Sequence, residues 1–218
     1  MSPDMEVKAQ PRAETEGVIV KLDESALNEA RAILHVAYQD EPAFRYLFDS
    51  EKQGYDQRIR ATIRELTHAY VQMNQEAIGV MVGETLVGVA FLGEPELRLT
   101  LADNWSWRAR MVLTAGLSST RRYVEYHKRL TNLLPQPKAH QLPLIGIHPK
   151  YKSRGYGRLL LQSVARLCKD NPRGGGLVLD TGNASYLPFY QSEGFRSLGT
   201  IRLGDIEDHV LYRNISGE

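Results

Sequence analysis

A chain of 218 residues is long enough to bury one sizeable core and short enough to form a single domain. Its 27 lysines and arginines stand against 26 acidic residues, so no global excess of positive charge drives nucleic-acid or anionic-membrane binding, and any anion site must be local. The one cysteine, Cys168, excludes an intrachain disulfide and a cysteine-based metal cluster, which suits a reducing compartment.

The opening MSPDMEVKAQPRAETEG mixes acidic and basic residues and has no apolar signal region, and no apolar run is long enough to span a bilayer. A soluble cytoplasmic protein is expected, with no membrane and no nucleic-acid partner. Residues 1–16 lack hydrophobic periodicity and are expected to be a mobile tail ahead of one domain, 17–218. Val18 to Leu22 reads as a strand. Asp23 then offers a cap to a helix with Leu27, Ala30, Leu34 and Ala37 on one face, and Pro42 marks its end. From Tyr55, the residues Ile59, Ile63, Leu66 and Tyr70 share a face of a second helix. AIGVMV and LVGVAFL follow as two strands joined at Gly83 and Glu84, a pair suited to a tight hairpin.

Residues 95–139 are too many for a structureless connection and are read as an insertion with helices of its own, one of them carrying Tyr123, Tyr126, Leu130 and Leu133 in register. Beyond Pro135 and Pro137 come the strand LPLIGI, a helix to Asp170, the strand LVLD, a short helix through Tyr190, and the pair GFRSLGT and DHVLYR. Strands alternating with helices in this half call for a mixed α/β sheet with a parallel crossover and antiparallel hairpins.

One stretch asks for a ligand. In LIGIHPKYKSRGYGRLLLQSVARL, two glycines and three cations separate a strand from a helix. Gly155 and Gly157 remove side chains where backbone must approach a ligand, the first-turn N–H groups of the helix point outward, and Lys152, Arg154 and Arg158 add to the positive end of its dipole. The stretch ends in neither the Gly-Lys-Ser/Thr of a P-loop nor the third glycine of a dinucleotide fingerprint. A surface turn solvated by its own cations is the competing reading.

The stretch Lys152-Ser153-Arg154-Gly155-Tyr156-Gly157 resembles the acetyl-CoA motif of the GNAT acyltransferase superfamily, Gln/Arg-x-x-Gly-x-Gly/Ala, with lysine at the first position. Ile147 and Pro149 fit that family's strand end. LDTGNASYLPFYQSEGF resembles its later motif, with Asn183, Tyr190, Gly194 and Phe195 in place. TGNASYLPFY and the proline-bearing segment before the fourth strand are similar to the branch of puromycin-type small-molecule N-acetyltransferases, although Tyr186 stands where members often carry asparagine.

The resemblance implies a mostly antiparallel sheet whose fourth and fifth strands are parallel and splayed, with flanking helices and a helical insertion before the fourth strand. It implies acetyl-CoA as cosubstrate. Its pantetheine arm would run along the backbone of Ile145, Gly146 and Ile147, and its pyrophosphate would sit on Lys152, Ser153, Arg154, Gly155, Tyr156, Gly157 and Arg158. Asn183 would hold the cosubstrate or its loop. Tyr190 would protonate the departing sulfur, the alternative being a core aromatic beside Phe189.

The implied function is transfer of an acetyl group to the primary amine of a small molecule by direct attack in a ternary complex. Acetylation of a peptide or protein amine, or a non-catalytic acyl-CoA sensor, are the rival readings, and a homodimer is left open. The general base is undetermined: LPLIGI carries no carboxylate, and His140, Gln141, Glu125 and His127 are the candidates. Trp105, Trp107, Tyr123 and Tyr126 are candidates to line the acceptor pocket. Asp40 and Glu41 read as solvated loop acids that would otherwise meet the acceptor's charge.

Overall fold

The structure, a computed structural model, describes residues 17–95, 105–134, 139–171 and 174–215. The tail expected over 1–16, the first part of the insertion and Pro135 and Pro137 lie outside them.

The chain opens with β1 (Val18–Lys21) and α1 (Leu27–Tyr38), between which the Asp23 carboxylate accepts from the Ser25 and Ala26 N–H groups and caps a short 3-10 turn. Pro42 does not merely close α1. It opens a separate helix, α2 (Pro42–Leu47), because a proline at the first helical position gives up an N–H that has no helical acceptor anyway, and the Glu41 side chain caps the same end. Next come α3 (Tyr55–Gln72), with Ile59, Ile63, Leu66 and Tyr70 all buried, and the hairpin of β2 (Glu76–Val82) and β3 (Thr85–Gly93), turned at Gly83 with φ +61°.

The insertion supplies two helices, α4 (Trp105–Ala115) and α5 (Leu117–Leu133). Then follow β4 (His140–Ile147), α6 (Tyr156–Asp170), β5 (Gly176–Thr181), α7 (Leu187–Ser192), β6 (Arg196–Leu203) and β7 (Ile206–Asn214).

The seven strands form one sheet in the order β1-β2-β3-β4-β5-β7-β6, antiparallel except between β4 and β5. Apolar side chains alternate to both faces, so each face needs a cover. On one face α1 to α5 pack over Val89, Phe91, Leu144, Val178 and Val210. On the other, α6 and α7 cover Val87, Leu142, Leu177, Leu179 and Leu211 with Tyr156, Leu160, Val164 and Tyr190. Cys168 is buried on that face as a small core residue. Each large apolar side chain so enclosed contributes about 1.5–3 kcal/mol. No helix among the described residues is long and apolar enough to cross a membrane.

The middle of the sheet opens. β4 and β5 pair in parallel only at His140 with Leu177 and Gln141 with Val178, and then part. A register shift in the β3–β4 ladder, between Phe91 and Gly93, falls where they separate.

Candidate active site

The gap between β4 and β5 continues into a cavity of about 530 Å³. Ile145, Gly146 and Ile147 line one lip, and Val178, Asp180 and Thr181 the other. At one end lies the turn between β4 and α6, where Lys152, Ser153, Gly155, Gly157 and Arg158 reach the cavity.

Ser153 and Gly155 both take left-handed backbone, φ +61° and +84°, and Gly155 caps α6. A Cβ built on Gly155 would meet nothing within 4 Å, so open space lies where the helix presents its first-turn N–H groups. The cations differ in what they face. The Lys152 ammonium donates to the Tyr186 hydroxyl at 3.0 Å, and the Arg154 guanidinium lies over the Tyr151 ring. Arg158 donates to the buried Glu193 carboxylate at 2.5 Å, which counters much of its charge and ties α6 to the turn after α7.

Across the lips, Tyr190 packs its ring on Phe189 and Phe195 with centroids 5.2 and 5.8 Å away. Tyr190 lines the cavity, its hydroxyl makes no hydrogen bond among the described residues, and burial raises its pKa above the usual phenol value. A second phenol occupies the opposite lip: the Ile145 N–H donates to the Tyr38 hydroxyl at 3.1 Å.

The other end is walled by aromatic and aliphatic side chains from α1, α2, α3 and α5, among them Tyr38, Phe44, Leu66, Tyr70, Tyr123 and Leu130. Two acids border it. Glu41 is half-buried and bracketed, one carboxylate oxygen accepting from the Phe44 N–H at 2.9 Å and the other from the Gly182 N–H at 2.8 Å. Burial raises its pKa in spite of both bonds.

Asp180, on β5, is the second acid. It sits opposite Val210 of β7, and Asp208, two residues back along β7, is its diagonal neighbour on the same sheet face. The Tyr126 hydroxyl, delivered by α5, lies between them, 2.6 Å from Asp180 Oδ2 and 2.9 Å from Asp208 Oδ2. Burial pushes the Asp180 carboxyl up to about 6, with the Glu41 charge adding to it. Burial, and then the charge of Asp180, push Asp208 up to about 8.

Solved structures of the same shape are numerous. Over 91% of this chain and 96% of theirs, the coordinates match the histone acetyltransferase HPA2 and related acetyltransferase of Corynebacterium glutamicum with a TM-score of 0.67 at 17% identity. Arylalkylamine N-acetyltransferase 2 of Aedes aegypti matches over 92% and 99% with a TM-score of 0.63 at 12% identity. The ribosomal-protein-S18-alanine N-acetyltransferase of Escherichia coli matches over 93% and 96% with a TM-score of 0.55 at 14% identity.

The chain has the GNAT fold. The sequence matches no family model and no curated protein. The mixed sheet, the parallel pair and the helices before β4 agree with what the motifs implied.

Placed on the GNAT fold, the motif residues divide. Ile145, Gly146, Ile147, Lys152, Ser153, Gly155, Gly157, Arg158 and Tyr190 line the cavity. Arg154 does not, and the Tyr156 side chain is buried in the core beneath α6. The Asn183 side chain is turned to local work, accepting from the Ser185 N–H at 3.1 Å and the Ser185 hydroxyl at 2.7 Å to cap a 3-10 turn, and it does not reach the cavity.

Of the base candidates, His140 is buried outside the cavity and Glu125 pairs with Arg129 on the exposed side of α5, whereas Gln141 and His127 line the wall. Trp105 is exposed and Trp107 is core, leaving Tyr123 and Tyr126 as the aromatics of the pocket. Glu41 is no solvated loop acid, because the Gly182 N–H draws it inward. Asp180 and Asp208 were not singled out from the sequence. Their signal was an acid that closes the apolar run LVLD and another that opens the strand DHVLYR.

Proposed function

We propose that the protein transfers an acetyl group from acetyl-CoA to the primary amine of a small molecule with an apolar, aromatic-sized body. The observation that carries this is the joining of two unlike ends in one cavity: a helix N-terminus with open space before Gly155, and an aromatic chamber bordered by the acids Glu41 and Asp180. The first suits a pyrophosphate, whose oxygens are met by backbone N–H groups and the positive end of α6. The second suits an ammonium group on an apolar stem, since cations are drawn to carboxylates and to aromatic faces. Two acids there would repel an acceptor that carries its own carboxylate.

When bound, acetyl-CoA would supply the thioester carbonyl and the leaving thiolate. The N–H of Ile147 on the open lip is available to it, while that of Ile145 is held by Tyr38 and that of Gly146 faces β3. Bond by bond, the amine lone pair forms the N–C bond, the C–S bond breaks with its pair on sulfur, and the Tyr190 hydroxyl gives sulfur a proton. The nitrogen sheds two protons from ammonium to amide, one matching the proton gained by sulfur and one released. The enclosure of the acids by side chains from four helices supports a small acceptor over a protein tail.

The test is thiol release from acetyl-CoA across a panel of amines. Phenethylamine-like amines should be acetylated and the corresponding amino acids should not. Acetyl-CoA should also raise the melting temperature, by linkage of binding to folding, where ATP and NAD do not. Equal shifts from all three nucleotides would count against the reading.

A further inference from the structure

Tyr126 has one hydroxyl hydrogen, yet its oxygen lies within hydrogen-bond distance of carboxyl oxygens on both Asp180 and Asp208, at 2.6 and 2.9 Å. A phenol hydrogen satisfies one of these contacts. The other is attractive only if the second carboxyl carries a proton and donates it to the phenol oxygen. The trio therefore holds at least one carboxylic acid.

Geometry locates the proton. Asp208 is 0% exposed, and its Oδ1 makes no hydrogen bond among the described residues. A bare oxygen so enclosed is tolerable on a neutral acid and costly on an anion. Asp180 borders the cavity, where solvent or a cation reaches it. Its contact with Tyr126 is the shorter one, as a hydroxyl bond to a charged acceptor is. Among the described residues no lysine or arginine forms an ion pair with either acid.

We propose that Asp180 is the carboxylate that binds the acceptor's ammonium group and takes its proton, and that Asp208, held as a neutral acid, donates to Tyr126 so that Tyr126 donates to Asp180. The catalytic half rests on the reading of the protein as an amine acetyltransferase; the placement of the proton does not. In the step, one N–H bond of the ammonium breaks, its electron pair stays on nitrogen as the attacking lone pair, and the proton bonds to Asp180. Asp180 returns that proton to solvent after the product leaves. Tyr126 and Asp208 act through Asp180 and are positioning residues. With Asp208 neutral, Asp180 ionises without a like charge at the next carboxyl, and burial raises both carboxyls above the ordinary aspartate range.

The groups that face Asp180 are few. Among the described residues Glu41 is the other acid that acts on Asp180, and His127 on α5 lines the same wall. Tyr38, Tyr70, Tyr123 and Tyr190, from α1, α3, α5 and α7, feel its charge, and burial raises each of them above the usual phenol range, so they stay neutral while it titrates. Lys152 and Arg158 belong to the opposite end of the cavity.

The experiment measures kcat/KM for phenethylamine with acetyl-CoA against pH, in wild type and in Asp180→Asn, Asp208→Ala, Asp208→Asn and Glu41→Gln. Alongside it, carbon NMR of aspartate-labelled protein counts neutral carboxyls near pH 7. Asp180→Asn is expected to lose ~10²-fold or more in kcat/KM and the acid limb of the profile. Its thermal shift with acetyl-CoA should remain. Asp208→Ala is expected to lose ~10-fold, and Asp208→Asn, whose amide N–H donates to Tyr126 as the acid does, to recover most of that loss. One neutral aspartate signal should be present in wild type and in Asp180→Asn and absent in Asp208→Asn.

The reverse pattern, with Asp180→Asn tolerated and Asp208→Asn damaged, would overturn the proposal. So would two ionised carboxyls in the spectrum, or loss of the acid limb in Glu41→Gln alone. If wild type releases no thiol with any amine, the catalytic half falls with the acetyltransferase reading, and the spectrum still decides where the proton sits.

Discussion

The two ends of the cavity are made by different rules. The α6 end comes from one short stretch, Lys152 to Arg158, and its chemistry is largely backbone: a left-handed glycine, a helix end and open space before it. The acid end is assembled from Tyr38 and Glu41 at the start of the chain, Tyr126 in the insertion, and Asp180 and Asp208 on neighbouring strands. An end built from backbone tolerates side-chain change and fails when the main chain is blocked, whereas one built from distant side chains fails at single atoms.

The sharpest way to break that contrast is at Tyr190, where the two ends meet. Removing its hydroxyl in Tyr190→Phe leaves the ring packing on Phe189 and Phe195 intact, so kcat is expected to fall by ~10²-fold with little change in acetyl-CoA affinity. Normal turnover with a lowered melting temperature would make Tyr190 a core residue only. Gly155→Val probes the backbone end and should abolish the acetyl-CoA thermal shift. It should also cost about 1–2 kcal/mol of stability, because φ of +84° suits no β-branched residue. Undiminished acetyl-CoA binding by this variant would mean that the turn is not the phosphate site.

A gentler probe of the acid end is the pH dependence of stability. Asp208 titrates at about 8 in the folded protein against 3.8 ordinarily, so between those values the folded chain keeps a proton that the unfolded chain has released. That contribution is full below the ordinary value and is lost as the pH rises through the folded one. Melting temperature should therefore fall more steeply from mildly acid to mildly alkaline pH in wild type than in Asp208→Asn, and parallel curves would refute the assignment. The smallest effect is expected of Tyr38→Phe. It removes the acceptor of the Ile145 N–H at a cost of about 1 kcal/mol or less, since that N–H lies where water can replace the phenol.

The same contrast explains what could be read from the sequence. Helical spacing exposed α3 and α6, the Gly83 turn gave the β2–β3 hairpin, and the glycines gave the turn before α6, because each of these is written within a few consecutive residues. Pro42 was half legible: a proline bars the continuation of one helix and equally permits the start of the next, and the choice fell to the Glu41 cap. The acid trio was not legible. Asp180 reads as the polar end of a strand and Asp208 as the start of another, and they meet only because β5 pairs with β7 in a register that sets them diagonally under α5. Asn183 is a matched motif position whose side chain holds its own loop, the second of the two roles the motif implied for it.

The Tyr38–Glu41 segment has a mechanical meaning. Beyond Gln141 and Val178 no ladder joins β4 to β5, so the sheet is two leaves, β1 to β4 and β5 to β7 with β6, stapled at one edge. Three residues apart on one stretch of chain, Tyr38 holds the Ile145 N–H of one leaf and Glu41 holds the Gly182 N–H at the end of the other. That stretch works as a spacer bar that sets the width of the slot. A molecule lying in the slot and bonding to both lips would take over from it, and the protein would stiffen across its midline on loading, in amide exchange at Ile145 and Gly182 before anywhere else.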